Sequence, residues 1–395
     1  MTFFEEDSEF YWPNKDKSIF DKSIVIEWRG KDYIFEDYKE LAYNYYQCSY
    51  HIFNYIKEDS NTRNLDTCFF VGLFLIRHAF ELSLKALILR NYSSSDLNNN
   101  FQKINFHHLD KLFEIYKDNP SIPLSPTEEE WLSKYFNSLS KTDPVSDTFR
   151  YAFNSDFMKK YENKHLNIVK ILNNCFQAWT LLEKCMGSTD SSADFDSSLE
   201  PKFLFVGGKW YENTFIWQPD NSTTLNTDTI SRKNHTAKLI GYETIFDILY
   251  NYLSKGSYDL FYPFMLIARI TLELYIKAFI YDHFITLTNQ EKLNKKIKTH
   301  NLNELFLLFK ENIIKENSDY TENPEFQIIE NRITELHKLD EKALTFRYLI
   351  DNNFTYYLNN TTFDITNVYN YFKELFAYFN AFDHYITCYK ELKSI

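Results

Sequence analysis

Two triplets of charged residues at helical spacing are the first candidates for chemistry in this sequence. Each holds an arginine, a glutamate and a lysine at i, i+4 and i+8: Arg77, Glu81 and Lys85, and again Arg269, Glu273 and Lys277. In an α-helix this spacing places the three side chains on one face. The surrounding residues are mostly apolar, so the charges need partners or water. The triplets indicate either a ladder of ion pairs, with Arg150 or Arg347 as an added partner, or a polar pocket that holds a nucleotide or another small anion.

A histidine opens a short amphipathic block in each half of the chain. His107 begins HHLDKLFEIYK, and His300 begins HNLNELFLLFK. Such a histidine either caps or packs against the helix that follows, or contributes to a polar site. His108 beside His107 suggests a metal ligand, but the spacing supplies no third one. We therefore expect no metal and no cofactor.

Three blocks of sequence occur twice in the same order. RHAFELSLKALI, beginning at Arg77, corresponds to RITLELYIKAFI, beginning at Arg269, with an offset of 192 residues (269 − 77). His107 and His300 are 193 residues apart (300 − 107). The third block, TFRY, is repeated with an offset of 197 (347 − 150), and its arginines and tyrosines are Arg150, Tyr151, Arg347 and Tyr348. Ordered blocks with slowly drifting spacing indicate a duplicated module with small loop insertions.

The patterns between these blocks predict helices and a few strands. Residues 36–58 are dense in apolar and aromatic side chains, as in a buried helix. In 66–91 apolar residues recur every three or four positions, as in a helix that faces a core. Aromatic and apolar runs in 24–35 and 203–217, with turns near Arg29-Gly30 and Gly207-Gly208, predict a small β-hairpin before each module. The Ser- and Asp-rich segment Gly187–Leu199 is interpreted as a linker.

The predicted fold is therefore all-α, with two tandem helical bundles. Its segments are an N-terminal part with a hairpin (1–35), a first helical module (36–186), a linker with a second hairpin (187–235) and a second helical module (236–395). Only 7 glycines occur in 395 residues, which favours helices over sheet and argues against a glycine-rich phosphate loop.

Composition also restricts the environment and the partners. The formal net charge of −12 does not attract polyanions over long range, so we expect no DNA binding. Five scattered cysteines without a C-x-x-C pair indicate a reducing compartment. The acidic N-terminus does not resemble a signal peptide, and the longest apolar run, Cys68 to Ile76, is too short to span a bilayer. We expect a cytoplasmic protein without a membrane anchor.

In this order, the three blocks resemble the HEPN superfamily of helical domains. Its first motif, A-x-E-x-x-L-K-A-L-L, is matched in the first copy by Glu81, Leu84, Lys85, Ala86 and Leu87 and in the second by Glu273, Ile276, Lys277, Ala278 and Phe279. Its second motif is matched by His108, Leu109 and Leu112 and by Asn301, Leu302 and Leu305. The R-Y turn is matched by Arg150-Tyr151 and Arg347-Tyr348.

The resemblance implies a candidate ribonuclease site. Many members of the superfamily cleave RNA without metal through R-x4–6-H, and the position of that arginine corresponds to Arg150 and Arg347. No histidine follows either arginine at the family's spacing, where Ser155, Asp156, Phe157, Asn352, Asn353 and Phe354 stand instead. Those side chains do not perform a histidine's acid–base chemistry at neutral pH. One R-x4-H does occur, from Arg332 to His337, and it is the enzymatic alternative.

Three functions follow from these observations. The leading one is a non-catalytic, HEPN-like binding or scaffolding protein, for which the resemblance implies a bacterial stress, toxin–antitoxin or phage-defence setting and a protein partner encoded nearby. The second is a metal-independent HEPN ribonuclease. The third is a pocket for a nucleotide or another small anion. HEPN domains commonly pair, so the two copies are expected to form an intramolecular pseudo-dimer, with a homodimer of the whole chain as a further possibility.

Overall fold

The computed structural model describes residues 18–20, 25–28, 34–59, 61–90, 107–118, 120–151, 157, 160–161, 164–187, 195–209, 213–215, 227–284, 290–316, 322–351, 355–358 and 361–393. Within them the fold is all-α, as predicted. The helices of the first copy are α1 (Ile34–Glu58), α2 (Thr62–Arg90), α3 (Leu109–Lys117), α4 (Pro126–Thr142) and α5 (Ile168–Cys185). Those of the second are α6 (Thr227–Leu253), α7 (Phe261–Phe284), α8 (Gln290–Lys296), α9 (Leu302–Glu316), α10 (Pro324–Leu339) and α11 (Ile365–Lys393).

The chain divides into two compact units whose boundaries differ from the predicted segments. The first unit consists of the described residues of 30–241 and 349–356, and the second of those of 1–29, 242–348 and 357–395. Each unit therefore contains one helical module and a short segment from elsewhere in the chain. The division falls inside α6 rather than in the predicted linker.

Helix α2 is the core of the first unit, and α7 has the same role in the second. Every residue of α2 from Thr67 to Leu89 is buried. Apolar residues occur on all faces of this helix, as is typical of a helix at the centre of a domain. By length and hydropathy α2 would suit a bilayer, but its apolar stretch is entirely buried within the protein, as in the core helix of a globular domain. Cys68 and Cys175 are core residues, as predicted, and burial raises the pKa of both thiols to about 12.

Local sequence explains where α4 begins and how α6 approaches α2. The side chain of Ser125 accepts a hydrogen bond from the amide of Glu128, whose carboxylate accepts one from the amide of Ser125, and Pro126 occupies the first turn. This capping box satisfies amides that the helix leaves without partners.

On α6, a Cβ at Gly241 would lie 2.4 Å from the carbonyl oxygen of Thr67, so only glycine permits this close approach.

Each predicted hairpin segment contains one described strand, and that strand pairs with a distant strand of the chain. Strand β1 (Val25–Trp28) pairs antiparallel with β4 (Thr361–Asp364), which leads into α11. Strand β2 (His165–Asn167), which leads into α5, pairs antiparallel with β3 (Asn213–Phe215). The strand that precedes each module in the chain is therefore paired with the other module. The turn predicted at Arg29-Gly30 lies outside the described residues.

The second predicted hairpin is opened by a strand inserted between its two halves. Leu166 of β2 faces Thr214 on one side and forms a β-bridge with Val206 on the other. The amide of Asn167 donates to the carbonyl of Phe205 at 2.8 Å. An isolated hairpin of such short strands has little stability in water, which explains why these segments pair with distant strands instead.

Part of the predicted linker is held against the first module. The indole N–H of Trp131 donates to the carbonyl of Leu199 at 2.7 Å. The side-chain amide of Asn174 donates to the carbonyls of Glu200 and Lys202 at 2.6 and 2.7 Å. The serine and aspartate content predicted a linker but not these contacts, because composition does not show which backbone carbonyls accept hydrogen bonds from distant side chains.

The pairing of β1 with β4 predicts a local effect of removing the N-terminal residues. A variant without residues 1–29 loses the strand that pairs with β4, so amide hydrogen exchange at Thr361–Asp364 should accelerate, with an opening free energy close to the ~0 kcal/mol of frayed segments. Exchange at His165–Asn167 should stay unchanged, because β3 is retained. Unchanged exchange at Thr361–Asp364, or equal acceleration in both strands, would contradict the pairing.

Candidate functional site

The first charged triplet forms an ion cluster centred on Glu81. One carboxylate oxygen accepts hydrogen bonds from Lys85 Nζ at 2.8 Å and His107 Nδ1 at 2.9 Å, and the other accepts one from Arg77 Nη1 at 2.8 Å. The side chains of Arg77 and Glu81 are 0% exposed, that of Lys85 is 6% exposed, and that of His107 is 30% exposed. An ionised carboxylate only accepts hydrogen bonds, so Nδ1 of His107 carries the proton.

Arg77 connects three helices of the first copy. From α2 its Nη2 donates to the carbonyl of His107, just before α3, at 2.5 Å. Its Nε lies 3.3 Å from the carboxylate of Asp143, just after α4. The planar guanidinium holds both positions at once because its donors project in fixed directions. The cluster therefore joins α2 to the start of α3 and the end of α4.

The second triplet forms the same cluster around Glu273. Its carboxylate accepts from Lys277 Nζ at 2.7 Å, His300 Nδ1 at 2.8 Å and Arg269 Nη1 at 3.1 Å. Arg269 Nη2 donates to the carbonyl of His300, and Nε lies 3.9 Å from the carboxylate of Asp340. The side chain of His300 is 39% exposed, while that of Glu273 is 0% exposed. Two modules with the same contacts at corresponding positions agree with the predicted duplication; their superposition stays a prediction.

Asp143 and Asp340 complete the clusters, and the repeat blocks did not include them. The second oxygen of Asp143 accepts from the amides of Asp147 and Thr148 at 2.9 and 3.0 Å. Asp340 accepts in the same way from the amides of Leu344 and Thr345, at 2.8 and 3.0 Å. Each aspartate thus orders the turn that leads into TFRY. The sequence could have predicted both aspartates, since each lies seven positions before the repeated arginine.

These turns contain a strained position in both copies. Ser146 and Ala343 have φ values of 66° and 56°, in the left-handed region that such residues rarely occupy. Each lies three residues after its aspartate, where that carboxylate binds the neighbouring amides. Hydrogen bonds from the turn to a buried carboxylate stabilise a backbone conformation that is unfavourable on its own.

The electrostatic environment keeps both central glutamates ionised. Burial by itself would raise the pKa of Glu81, but Lys85, His107 and Arg77 outweigh it and hold that pKa well below its usual range. Burial is likewise the largest single influence on Glu273, and it is outweighed by Lys277, His300 and Arg269. The charged form is favoured because opposite charges and donated hydrogen bonds surround the carboxylate.

The predicted pairing of Glu81 with Arg150, and of Glu273 with Arg347, is not among the ion pairs of the described residues. Arg77 and Arg269 take that position, one helical turn before each glutamate. The guanidinium of Arg150 lies 4.6 Å from the ring centroid of Tyr151, and that of Arg347 lies 5.1 Å from that of Tyr348. The repeated R-Y pair is therefore a cation–π contact between neighbours, with both arginines buried.

A buried lysine from α6 reaches the same turn in the first unit. Lys238 Nζ donates to the carbonyl of Phe149 at 2.8 Å and lies 5.1 Å from the ring centroid of Phe70. Burial lowers the pKa of Lys238 well below its usual range, although nearby Asp143 opposes the shift. Nothing in the sequence pattern predicted it, because helical spacing does not show which distant loop a lysine contacts.

In the alternative R-x4-H motif, the arginine forms an ion pair with a glutamate of α11 and does not lie beside the histidine. Arg332 is 3% exposed, its Nη2 lies 2.7 Å from the carboxylate of Glu374, and its guanidinium lies 4.4 Å from the ring centroid of Tyr371. His337 is half-buried on the same helix, and a separation of five residues places the two side chains about 140° apart around its axis. Of the positions after Arg150 and Arg347, Phe157 is buried, and 152–156 and 352–354 lie outside the described residues.

The clusters suit a structural role better than anion capture. Arg77 and Lys85 each contact a carboxylate, and Glu81 and Asp143 balance their charges, so the first cluster has no formal excess of positive charge when His107 is neutral. The second cluster has the same composition. No group of three or more His, Cys, Asp or Glu side chains arranged for a metal ion occurs in the described part of the chain.

Removing either central carboxylate should destabilise the protein. Glu81→Gln leaves Lys85 buried without its counter-charge and leaves Arg77 with Asp143 alone, which we expect to lower the free energy of unfolding by about 3–5 kcal/mol. Glu273→Gln should have a similar effect, since its contacts are the same. Chemical denaturation measures both. Glu130→Gln removes an ion pair whose side chains are 60% and 65% exposed and should change little. Equal stability of all three variants would contradict a buried, paired carboxylate.

Acid should weaken the protein through the same two groups. Their pKa values in the folded protein lie below the ~4.3 of an unfolded chain, so protonation favours unfolding. The stability they contribute is present in full above about pH 5 and is lost as the pH falls. As the pH falls below about 5, the free energy of unfolding should therefore decrease more steeply for the wild type than for a variant carrying Glu81→Gln and Glu273→Gln. Identical slopes would show that neither carboxyl is perturbed.

Comparison with known proteins returned no relative. No family model, curated protein or solved structure matches this chain significantly. The resemblance to the HEPN superfamily therefore rests on the chain's own residues.

Proposed function

We propose that this protein is a non-catalytic, HEPN-like binding or scaffolding protein. The observation that carries the proposal is that the repeated charged residues are used inside each module. Arg77 and Arg269 each contact two carboxylates and a backbone carbonyl, and Lys85 and Lys277 each contact a buried glutamate. Groups engaged in this way hold helices together.

Phosphodiester cleavage would require a different arrangement. It needs an acid, a base and a cation directed at the same phosphate. Arg332 is bound to Glu374, and the guanidiniums of Arg150 and Arg347 are buried against tyrosine rings. None of these arginines presents an exposed guanidinium to RNA.

The resemblance to HEPN domains supplies the setting of the proposal. It implies a bacterial stress, toxin–antitoxin or phage-defence system in which the two copies pair within one chain and bind a protein encoded nearby. Co-expression with the products of the adjacent genes, followed by size-exclusion chromatography, tests this part. Co-elution with one such product at constant stoichiometry supports it, and separate elution of every product contradicts it.

Ribonuclease activity is the second candidate, and one observation favours it. His107 and His300 each have Nδ1 bound to a buried glutamate while 30% and 39% of the side chain is exposed. A carboxylate that fixes the tautomer of a partly exposed imidazole is also a common arrangement in acid–base catalysis. Both histidines therefore belong in the test of activity, together with His337.

We expect the purified protein not to cleave total RNA or tRNA in the presence of a chelator. The assay compares the wild type with His337→Ala, Arg347→Ala and a variant carrying His107→Ala and His300→Ala. Cleavage by the wild type that is lost in any of these variants would overturn the non-catalytic proposal and would identify the responsible residues. Cleavage that persists in all of them would point to a contaminating nuclease, which a second purification step removes.

A further inference from the structure

The last helix of the second module is longer than the last helix of the first. Helix α11 begins 197 residues after α5 (365 − 168), which is also the offset of the TFRY blocks that precede them. Both helices begin with the same cap: the side chain of Asn167 accepts from the amide of Lys170, and that of Asp364 accepts from the amide of Asn367. At this offset the end of α5 corresponds to residue 382, and α11 continues for eleven residues more (393 − 382). We call residues 383–393 the α11 extension.

A glycine explains why α5 ends where α11 continues. Gly187 follows the end of α5 with a φ of 80°, and its amide donates to the carbonyl of Lys184 at 3.1 Å. A glycine in this left-handed conformation is a common end of a helix. His384 stands at the corresponding position of the second copy (187 + 197) and is helical. The extension is therefore a difference between the two copies that the sequence specifies.

One face of the α11 extension packs against the end of α7. Ile386 is 1% exposed. Nε2 of His283 lies 2.7 Å from the carboxylate of Asp383, and Lys390 Nζ donates to the carbonyl of His283 at 2.7 Å. These contacts fix the direction in which the opposite face of the extension points.

That opposite face carries apolar side chains in solvent. Tyr385 is 51% exposed, Leu392 is 72% exposed, and Cys388 is exposed as well. Together with the half-buried Ala381 they recur at intervals of four, three and four residues. This is the a and d spacing by which helices pair in coiled coils. We call these four residues the outer face of α11.

An aromatic stack orders the tyrosine of this face. The ring centroid of Tyr385 lies 6.3 Å from that of Phe382 and 6.5 Å from that of Tyr389, with interplanar angles of 25° and 17°. The outer face thus presents a preformed apolar surface, and little side-chain freedom is lost when something binds it.

The order of side-chain sizes on the outer face is complementary to itself. It runs small, large, small, large, in the sequence Ala381, Tyr385, Cys388 and Leu392. If a second α11 lies antiparallel with its Leu392 opposite Ala381, its Cys388 lies opposite Tyr385, because both pairs share a midpoint between positions 386 and 387. Every layer then holds one large and one small side chain, which fills a helix interface well. A parallel pair would instead place tyrosine against tyrosine and cysteine against cysteine.

The polar residues beside the outer face match in the same arrangement. His384 and Glu391 are both exposed, and each immediately precedes a large apolar residue of the face. In the antiparallel pair, His384 of one copy and Glu391 of the other are about 3 Å apart along the helix axis. Positions on this flank of an antiparallel pair contact each other, and the contact is made twice because of the two-fold symmetry.

We propose that a second copy of this chain docks on the outer face of α11, antiparallel and related by a two-fold axis, to form a homodimer. A second copy is the indicated occupant because both the size pattern and the charge pattern match their own reverse. The face is only about 18 Å long, so the dimer is a weak one in equilibrium with the monomer. This inference does not depend on the proposed function of the protein.

Sedimentation velocity of the full chain, measured across micromolar concentrations, tests the proposal. We expect a monomer–dimer equilibrium with a Kd of about 100 μM or below. Tyr385→Glu should weaken dimerisation by about tenfold or more, because it places a carboxylate in the apolar interface. Tyr258→Glu is the matched control: Tyr258 is also 51% exposed but precedes α7, so this variant should dimerise like the wild type.

Reversing the charges tests the antiparallel arrangement itself. His384→Glu should weaken dimerisation by about tenfold, because it places two carboxylates against each other at both ends of the interface. Adding Glu391→Lys should restore the affinity, since the facing groups are again of opposite charge. Failure of the second substitution to restore dimerisation would contradict the proposed pairing.

Cys388 offers an independent readout, because the other four cysteines are buried. It lies close to the proposed two-fold axis, so a short bis-maleimide should join two chains through this thiol. The yield of cross-linked dimer should fall in Tyr385→Glu. Cys388→Ala should abolish the cross-link and still dimerise in sedimentation, because alanine keeps the position small and apolar.

Three outcomes would overturn the proposal. One is a chain that sediments as a monomer at every concentration. Another is equal dimerisation of Tyr385→Glu and the wild type, which would place the interface elsewhere. The third is a monomer that co-elutes with the product of an adjacent gene and loses it in Tyr385→Glu, which would assign the outer face to that partner and support the proposed function. Circular dichroism confirms the fold of each variant, and if Tyr385→Glu fails to fold, the charge-reversal pair decides.

Discussion

An ionised carboxylate in a protein interior requires compensation for the hydration it has lost, and that requirement organises each module of this protein. Glu81 and Glu273 are fully buried, and each receives hydrogen bonds from an arginine, a lysine and a histidine. The arginine and the lysine lie on the same helix as the glutamate, and the histidine lies just before the next helix, so all three hydrogen bonds form only when that next helix is correctly placed. Asp143 and Asp340 extend the same constraint to a third helix and to the turn that follows it.

The two copies preserve this centre and differ around it. The donors and carboxylates have the same contacts in both, including the backbone carbonyl that each arginine binds. At the seam between the first and last helices of the module they diverge. One copy places tyrosines against Phe176, and the other places carboxylates around Lys373. The chemistry of this seam therefore differs between the copies, while the ion cluster has the same contacts in both.

The helices and the central triplets could be predicted from sequence because their information is local. Apolar and aromatic density identified α1 and apolar spacing identified α2, each to within a few residues, and the repeat itself identified Glu81 and Glu273. The partners of distant groups could not be predicted in the same way. Strands β1 and β3 have the composition of hairpins, yet each pairs with a strand beside the last helix of the other copy. Arg150 was expected near Glu81, but the nearer Arg77 on the same helix satisfies that carboxylate. Lys238 carries no local signature at all.

The most direct test of the central claim is the ionisation of the two buried glutamates. Carbon-13 NMR of protein labelled at the glutamate carboxyl follows each group through a pH titration, with Glu81→Gln and Glu273→Gln used to assign the two resonances. If the clusters exist as described, both resonances keep the chemical shift of an ionised carboxylate as the pH falls through the ~4.3 typical of a free glutamate and change only when the protein unfolds. Titration of either resonance near that value in the folded protein would contradict the account.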